Sequence, residues 1–223
     1  MGNLLFLGKR DDAFCDKAAR HVHDNFSNPE IHLARRGDPW PAEIDDWRGN
    51  SIISYLSPFI LPPSLLDNAK GAALNFHPGP PQYPGIGCTN FALYNGETEY
   101  GVTCHHMAAK VDTGPIIAVR RFDILPDDSV LSLTERCYAH IYDLFMEITG
   151  VLLAGRPLPV ADETWTREPY KRHELDSLCR ITPDMEAEEI ERRIRAVTFP
   201  GAPGAFVELQ GHRFAYAGGE PQS

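Results

Sequence analysis

Apolar and polar positions follow one another in blocks whose lengths predict strands and helices in turn. Leu4–Leu7 is a short unbroken apolar run, the form of a strand buried on both faces. Lys9-Arg10-Asp11-Asp12 interrupts it, and Ala13, Phe14, Ala18, Ala19, Val22 and Phe26 then recur at helical spacing. Glu30–Ala34 predicts a second strand and Ser51–Leu56 a stronger one, stopped by Ser57-Pro58. Pro62–Ala69 predicts a short helix. Ala72–Phe76 is another apolar run, followed by a stretch too rich in proline and glycine for regular structure, His77 to Gly87. Thr89–Leu93 opens a helix that stops near Asn95-Gly96, and Tyr100–Met107 and Pro115–Phe122 read as strands.

The clearest amphipathic segment is Ser129–Leu153, where Leu133, Cys137, Ile141, Leu144, Phe145, Ile148 and Leu152 fall at three- and four-residue steps. Gly155-Arg156-Pro157 ends it. Residues 161–172 are polar and irregular, with Trp165 and Tyr170 as anchors. Thr182-Pro183-Asp184 predicts the start of a helix running to about Val197, acidic early and arginine-rich late. Arg192, Arg193 and Arg195 fit that helix end and surface ion pairs. Ala205–Leu209 and His212–Tyr216 around Gln210-Gly211 predict a β-hairpin. The order of elements predicts an α/β fold with a mostly parallel sheet over residues 1–160 and a small helix-and-hairpin extension over residues 161–223.

Composition narrows the class. The chain has 223 residues, 43% hydrophobic and 23% charged, enough for a sizeable core without disulfides or structural metal. A net charge of −10 argues against broad capture of nucleic acid or an anionic membrane. No apolar run approaches a membrane span, and Met1–Gly8 lacks the basic start of a signal peptide, so a cytoplasmic protein is expected. Five scattered cysteines without a C-x-x-C pair suit reduced thiols, and no metal site is expected. His105-His106 is a weak metal doublet because neighbouring strand residues face opposite ways; one packed and one lining a cleft is the better reading.

Ligands of open α/β sheets bind beyond the carboxyl ends of strands. Tyr55–Pro58, Asn75–His77 and Ala108–Asp112 meet that description. Asn75 and His77, two apart on a strand, share a face and point together. An imidazole can move a proton, an amide N–H can donate to an oxyanion, and Asp112, if near, would orient and stabilise the charged ring. The same spacing also fits an Asn and His that simply cap a strand end.

Asn75-Phe76-His77-Pro78-Gly79-Pro80, Tyr83-Pro84-Gly85, Gly101-Val102-Thr103 and Val111-Asp112-Thr113-Gly114-Pro115-Ile116-Ile117, in that order, resemble the formyltetrahydrofolate-dependent formyltransferase family. The resemblance implies a Rossmann-like domain with a triad of Asn75, His77 and Asp112. It implies 10-formyltetrahydrofolate as the formyl donor, held through backbone groups of Ser54, Tyr55, Leu56, Ala108, Ala109, Lys110 and Val111. The acceptor amine would attack the formyl carbon, with Asn75 and protonated His77 stabilising the oxyanion.

Three relatives compete for the acceptor. The methionyl-tRNA enzyme has a sizeable C-terminal barrel, whereas 68 residues follow Gly155, and its S-L-L-P after the histidine is absent. The glycinamide ribonucleotide enzyme has a glycine-rich phosphate loop where this chain has Gly8-Lys9-Arg10-Asp11. His77 to Tyr94 is most similar to sugar-nucleotide N-formyltransferases, which formylate amino-deoxy sugars for lipopolysaccharide or capsule. On that resemblance Lys9 and Arg10 would meet a diphosphate, and Pro81, Tyr83 and Gly85 would line the acceptor pocket, with Trp40 and Phe199 as further aromatic candidates. A homodimer is expected, with the hairpin as the pairing element.

Overall fold

The computed structural model describes residues 3–217, so Met1 and Gly2 of the N-terminal run lie outside the described residues. A six-stranded sheet runs in the order β2 (Pro29–Ala34), β1 (Leu4–Lys9), β3 (Gly49–Tyr55), β4 (Ala69–His77), β5 (Glu99–His106), β6 (Ile116–Asp123). The first four are parallel, and β5 and β6 are antiparallel to their neighbours. The mostly parallel α/β architecture expected from the sequence is therefore present.

Helices cover both faces of the strands. One core cluster packs β1, β3, β4 and β5 against α1 (Ala13–Asn25), α3 (Cys88–Asn95) and α4 (Val130–Leu153). Phe145 of α4 is its hub, meeting Phe6, Tyr55 and Phe76 at ring-centroid distances of 6.2, 5.3 and 5.3 Å. A smaller cluster on the opposite face joins Leu5, Leu7 and Ile52 to Ile44, Trp47, Leu61 and Leu65, the last on the short helix α2 (Pro63–Leu66). Burial on both faces is why these strands are continuous apolar runs rather than alternating ones.

The C-terminal segment departs from the sequence expectation in two places. Arg172–Cys179 forms a helix, α5, and Arg180–Ile181 a short strand, β7, neither of which its polar pattern announces. Helix α6 starts at Ala187, not at Thr182-Pro183, because the Met185 N–H closes a turn on the Thr182 carbonyl and the first helical bond is from Ile190 to Glu186. The hairpin is present as β8 (Phe206–Leu209) and β9 (His212–Ala215), paired to β7 in a three-stranded sheet. Leu178, Ile181, Ala196, Val197 and Ala205 belong to the same core cluster as β1 and α4, so the extension shares the core of residues 1–160.

Candidate active site

The site grows from the β4–β5 ladder. Asn75 pairs with His105 and His77 with Thr103, so all four side chains stand on one face. A register irregularity between Cys104 and His105 marks the end of regular pairing with β6, a common place for a bulge beside a functional site. The chain then turns back through residues 107–114 and lays Asp112 over that face. Asp112 adopts φ +47°, a left-handed conformation that aspartate tolerates. Trp165 fastens this turn by donating its indole N–H to the Gly114 carbonyl at 2.8 Å.

Asp112 is the meeting point. Its Oδ2 lies 3.2 Å from His77 Nδ1 and accepts the Gly85 N–H at 2.8 Å. Its Oδ1 lies 3.3 Å from His105 Nε2 and accepts from Asn75 Nδ2 at 3.3 Å. Burial pushes the carboxyl up, but His77, His105 and the Gly85 N–H outweigh it and hold Asp112 down at about 2. The carboxylate is thus ionised although only 4% exposed.

His77 is 3% exposed, and its Nε2 lies 2.9 Å from the Tyr83 carbonyl. Carboxylate and carbonyl both only accept, so both contacts are hydrogen bonds when each ring nitrogen carries a proton. Cys88 Sγ is 3.6 Å from the same Nε2 and 3.3 Å from the Gly85 carbonyl. Burial and the Asp112 charge push the Cys88 thiol up, which keeps it a thiol and not a nucleophile.

Beside this cluster opens a cavity of about 420 Å³, within the range of small-molecule sites. Asn75, His105 and Asp112 border it, together with Ser54 and Leu56–Leu61 after β3, Met107–Val111 after β5, Gly85–Asn90 at the start of α3, and Thr134, Cys137 and Tyr138 of α4. Of the loop residues expected to hold a donor, Ser54, Leu56, Ala108, Ala109, Lys110 and Val111 line the cavity. The Tyr55 side chain turns instead into the core, fully buried. The His77 ring does not border the cavity either.

Gly85 does line it, and only glycine fits there. Its φ is +89°, and a Cβ would stand 2.4 Å from the Tyr170 carbonyl oxygen. Pro81 and Tyr83 are behind the wall. Pro81 is buried and its carbonyl accepts the Thr166 N–H. Tyr83 is 4% exposed, donates its hydroxyl to Glu97 at 2.6 Å and stacks on Tyr170, with no face left for a ligand.

Lys9 and Arg10 also sit away from the cavity. Lys9 Nζ donates to Asp12 at 3.3 Å and to the Tyr138 hydroxyl at 3.2 Å, and the Asp12 carboxylate caps the N-terminus of α1 by accepting from Cys15. Arg10 donates to the Leu33 carbonyl and pairs with Asp38 beside a second depression, which Trp40 also borders. Phe199 packs against the main core, and Arg192, Arg193 and Arg195 bind Glu189 and backbone carbonyls. Sequence reasoning missed His105 as a member of the Asp112 cluster, and the signal was present: it stands directly opposite Asn75 once β4 and β5 are paired antiparallel.

Among the described residues no group of three or more His, Cys, Asp or Glu is placed to hold a metal ion, and no helix is long and apolar enough to cross a membrane. The chain is 30% identical over 192 residues to a methionyl-tRNA formyltransferase of Myxococcus xanthus, covering 82% of this chain and 60% of the relative. The chain thus spans about three fifths of that relative's length. Its fold matches a sugar N-formyltransferase from Shewanella with a TM-score of 0.76 at 18% identity, covering 96% of each chain. It also matches an N-formyltransferase from Helicobacter canadensis, in complex with folinic acid and dTDP-3-aminofucose, with a TM-score of 0.72 at 17% identity over 93% of this chain and 84% of the other. Residues 52–149, from within β3 through Asn75, His77 and Asp112 to late in α4, match the family described as formyl transferase.

Proposed function

We propose that this chain transfers a formyl group from 10-formyltetrahydrofolate to the amino group of a nucleoside-diphosphate-linked amino-deoxy sugar, for O-antigen, lipopolysaccharide or capsule synthesis. The observation that carries the reading is the convergence of Asn75, His77 and Asp112, with Asn75 and Asp112 at the edge of one cavity and His77 behind them. Donor and acceptor would share that cavity. The donor fits between the backbone of Ser54, Tyr55 and Leu56 and that of Ala108–Val111. The acceptor fits towards Gly85–Asn90 and Tyr138, where Lys9 acts through the Tyr138 hydroxyl rather than by direct contact.

The chain's own groups divide the work. An Asn75 amide N–H donates to the formyl oxygen as it gains charge under attack by the amine. The imidazolium form of His77, bonded at both nitrogens, adds positive charge behind it. Asp112, ionised and bordering the cavity, accepts the proton lost by the attacking amine, and that proton then passes to the departing folate nitrogen. No step calls on a metal.

The sugar-nucleotide acceptor draws support from the near full-length match of the Shewanella and Helicobacter folds. A second reading follows from the Myxococcus relative, whose acceptor is methionyl-tRNA; the net charge of −10 weighs against it. Glycinamide ribonucleotide is a further small amine of the same class, and a non-catalytic folate or nucleotide module is the different-class alternative. In this proposal residues 1–160 carry the chemistry, residues 161–223 are a docked extension, and the protein works in the cytoplasm. It works there as a homodimer through the hairpin, whose Leu209, Phe214 and Tyr216 are exposed.

The test combines 10-formyltetrahydrofolate with UDP-, dTDP- and GDP-linked amino sugars, glycinamide ribonucleotide and methionyl-tRNA, reading release of tetrahydrofolate. Turnover with a sugar nucleotide, abolished by His77→Ala, is expected. Turnover confined to another acceptor would overturn the substrate class. Raised melting temperature with folate but no turnover with any amine would leave a binding module.

A further inference from the structure

Asp112 has four polar neighbours, two on each carboxylate oxygen, and one side chain among them stands outside the triad. That neighbour is His105, 2% exposed, with Nε2 3.3 Å from Oδ1. Its other nitrogen, Nδ1, lies 2.8 Å from the His106 carbonyl oxygen, and its ring meets Trp165 edge-on at 5.0 Å and 90°. A carbonyl only accepts, so Nδ1 carries a proton. The ring is therefore fixed at its far end, with Nε2 turned towards Asp112 and Asn75.

His105 Nε2, Asp112 Oδ1 and Asn75 Nδ2 form a nearly equilateral triangle with sides of 3.1, 3.3 and 3.3 Å. The angle subtended at Asn75 Nδ2 is then about 60°, half of the roughly 120° between the two hydrogens of a planar amide. One N–H is engaged by Oδ1, which also faces His105 Nε2, and the other points away and stays available to the cavity that Asn75 borders.

We propose that His105 is a positioning residue, a clamp that donates from Nε2 to the second oxygen of Asp112 and so keeps Oδ2 facing His77 and Oδ1 in place to accept from Asn75, with the other amide N–H facing the cavity. The inference rests on the formyl-transfer reading of the triad. Among the described residues no other imidazole or cation takes its place. The titratable groups that face Asp112 are His77, His105 and the Cys88 thiol. Lys110, on the same turn, pairs with Glu168 in solvent, and His106 lies on the opposite face of β5. The same contact from His105 helps to hold the Asp112 carboxyl low.

Two substitutions separate a clamp from mere packing. His105→Asn can keep the bond to the His106 carbonyl but cannot reach Oδ1. His105→Gln places an amide where Nε2 stands and can donate to Oδ1. In protein carrying 13C-labelled aspartate, with no substrate added, the Asp112 carboxyl is expected to titrate about one pH unit or more higher in His105→Asn than in the unmodified chain. In His105→Gln it should move back towards the original value. With the acceptor found in the panel above, kcat is expected to fall about tenfold in His105→Asn, while KM for 10-formyltetrahydrofolate changes less than threefold, and His105→Gln should recover most of the loss. An unchanged Asp112 titration in His105→Asn would overturn the clamp, as would a His105→Gln protein no better than His105→Asn in both measurements. The carboxyl titration needs no turnover, so it decides on the clamp even if the acceptor panel rules against formyl transfer.

Discussion

Replacing Gly114 by alanine adds one methyl group where the backbone leaves no room. A Cβ there would lie 1.8 Å from the His106 carbonyl oxygen and 2.8 Å from its carbon. Ordinary contact needs about 3.4 Å, so the turn and the end of β5 must part by roughly 1.5 Å. The turn cannot simply swing outwards, because the Gly114 carbonyl is tied to Trp165 and the Pro115 carbonyl accepts from the His106 N–H. Asp112, two residues before, makes its contacts to His77, His105, Asn75 and Gly85 at 2.8–3.3 Å, and a displacement of an ångström ends them as hydrogen bonds. Overpacking of this kind costs about 1–3 kcal/mol, and an ångström of misplacement in a reacting group costs about a hundredfold in rate. Gly114→Ala should therefore melt several degrees lower while remaining folded, and should lose about two orders of magnitude in kcat. Steady-state release of tetrahydrofolate and a thermal melt, run on the same preparation, check both. A variant with kcat within threefold of the original would refute the claim that this close approach sets the position of Asp112.

Other substitutions probe the core, the charge and the C-terminal segment. Phe145→Ala, at the hub of the aromatic cluster, should cost about 3–5 kcal/mol in urea unfolding, since no neighbouring strand can collapse into the space. The carboxyl of Asp112 is depressed from 3.8 to about 2, so its contribution of about 2 kcal/mol is fully present above pH 4 and is lost as pH falls towards 2. Urea midpoints at a series of acidic pH values should accordingly drop less steeply for Asp112→Asn than for the unmodified chain. Tyr170→Ala removes a ring stacked 3.8 Å from Phe91 and parallel to Tyr83; it should cost about 2–4 kcal/mol and reduce turnover as well as stability. Full activity in that variant would show that the loop around Gly85 holds its shape without the C-terminal segment.

Much of the sheet was legible because strands buried on both faces leave apolar runs, as in β1 and β3, whereas the edge strands β2 and β6 carry polar residues and only half-buried positions. Long helix α4 was legible from its spacing, and its start from Ser129, which accepts the Ser132 N–H. Helix α5 was not, because it buries only Leu178 and its remaining positions are polar. Asn75, His77 and Asp112 could be named from motif order, and the structure brings the three side chains together. The cations could not be placed from sequence. Lys9 and Arg10 stand at the end of β1 as a phosphate site would require, yet Lys9 pairs with Asp12 and Arg10 with Asp38, and a linear pattern does not say which charge a side chain will turn to. Tyr83 misled for a similar reason: an aromatic between prolines suggests a ligand wall, but its hydroxyl has Glu97 and Asn95 as partners.

The pairing of Gly85 with Tyr170 bears on when the site comes into being during synthesis. Thr166, Tyr170 and Ile86 stitch the loop after His77 to a segment that leaves the ribosome much later, through backbone bonds from Thr166 to Pro81, Tyr170 to Pro84 and Ile86 to Tyr170. Until that stitching forms, the Gly85 N–H that Asp112 accepts has no fixed position. A nascent chain that has emerged only through α4 could already form the central sheet, whose contacts are complete by then, and still lack a working carboxylate. Fixing of the Asp112 surroundings would thus follow assembly of the sheet.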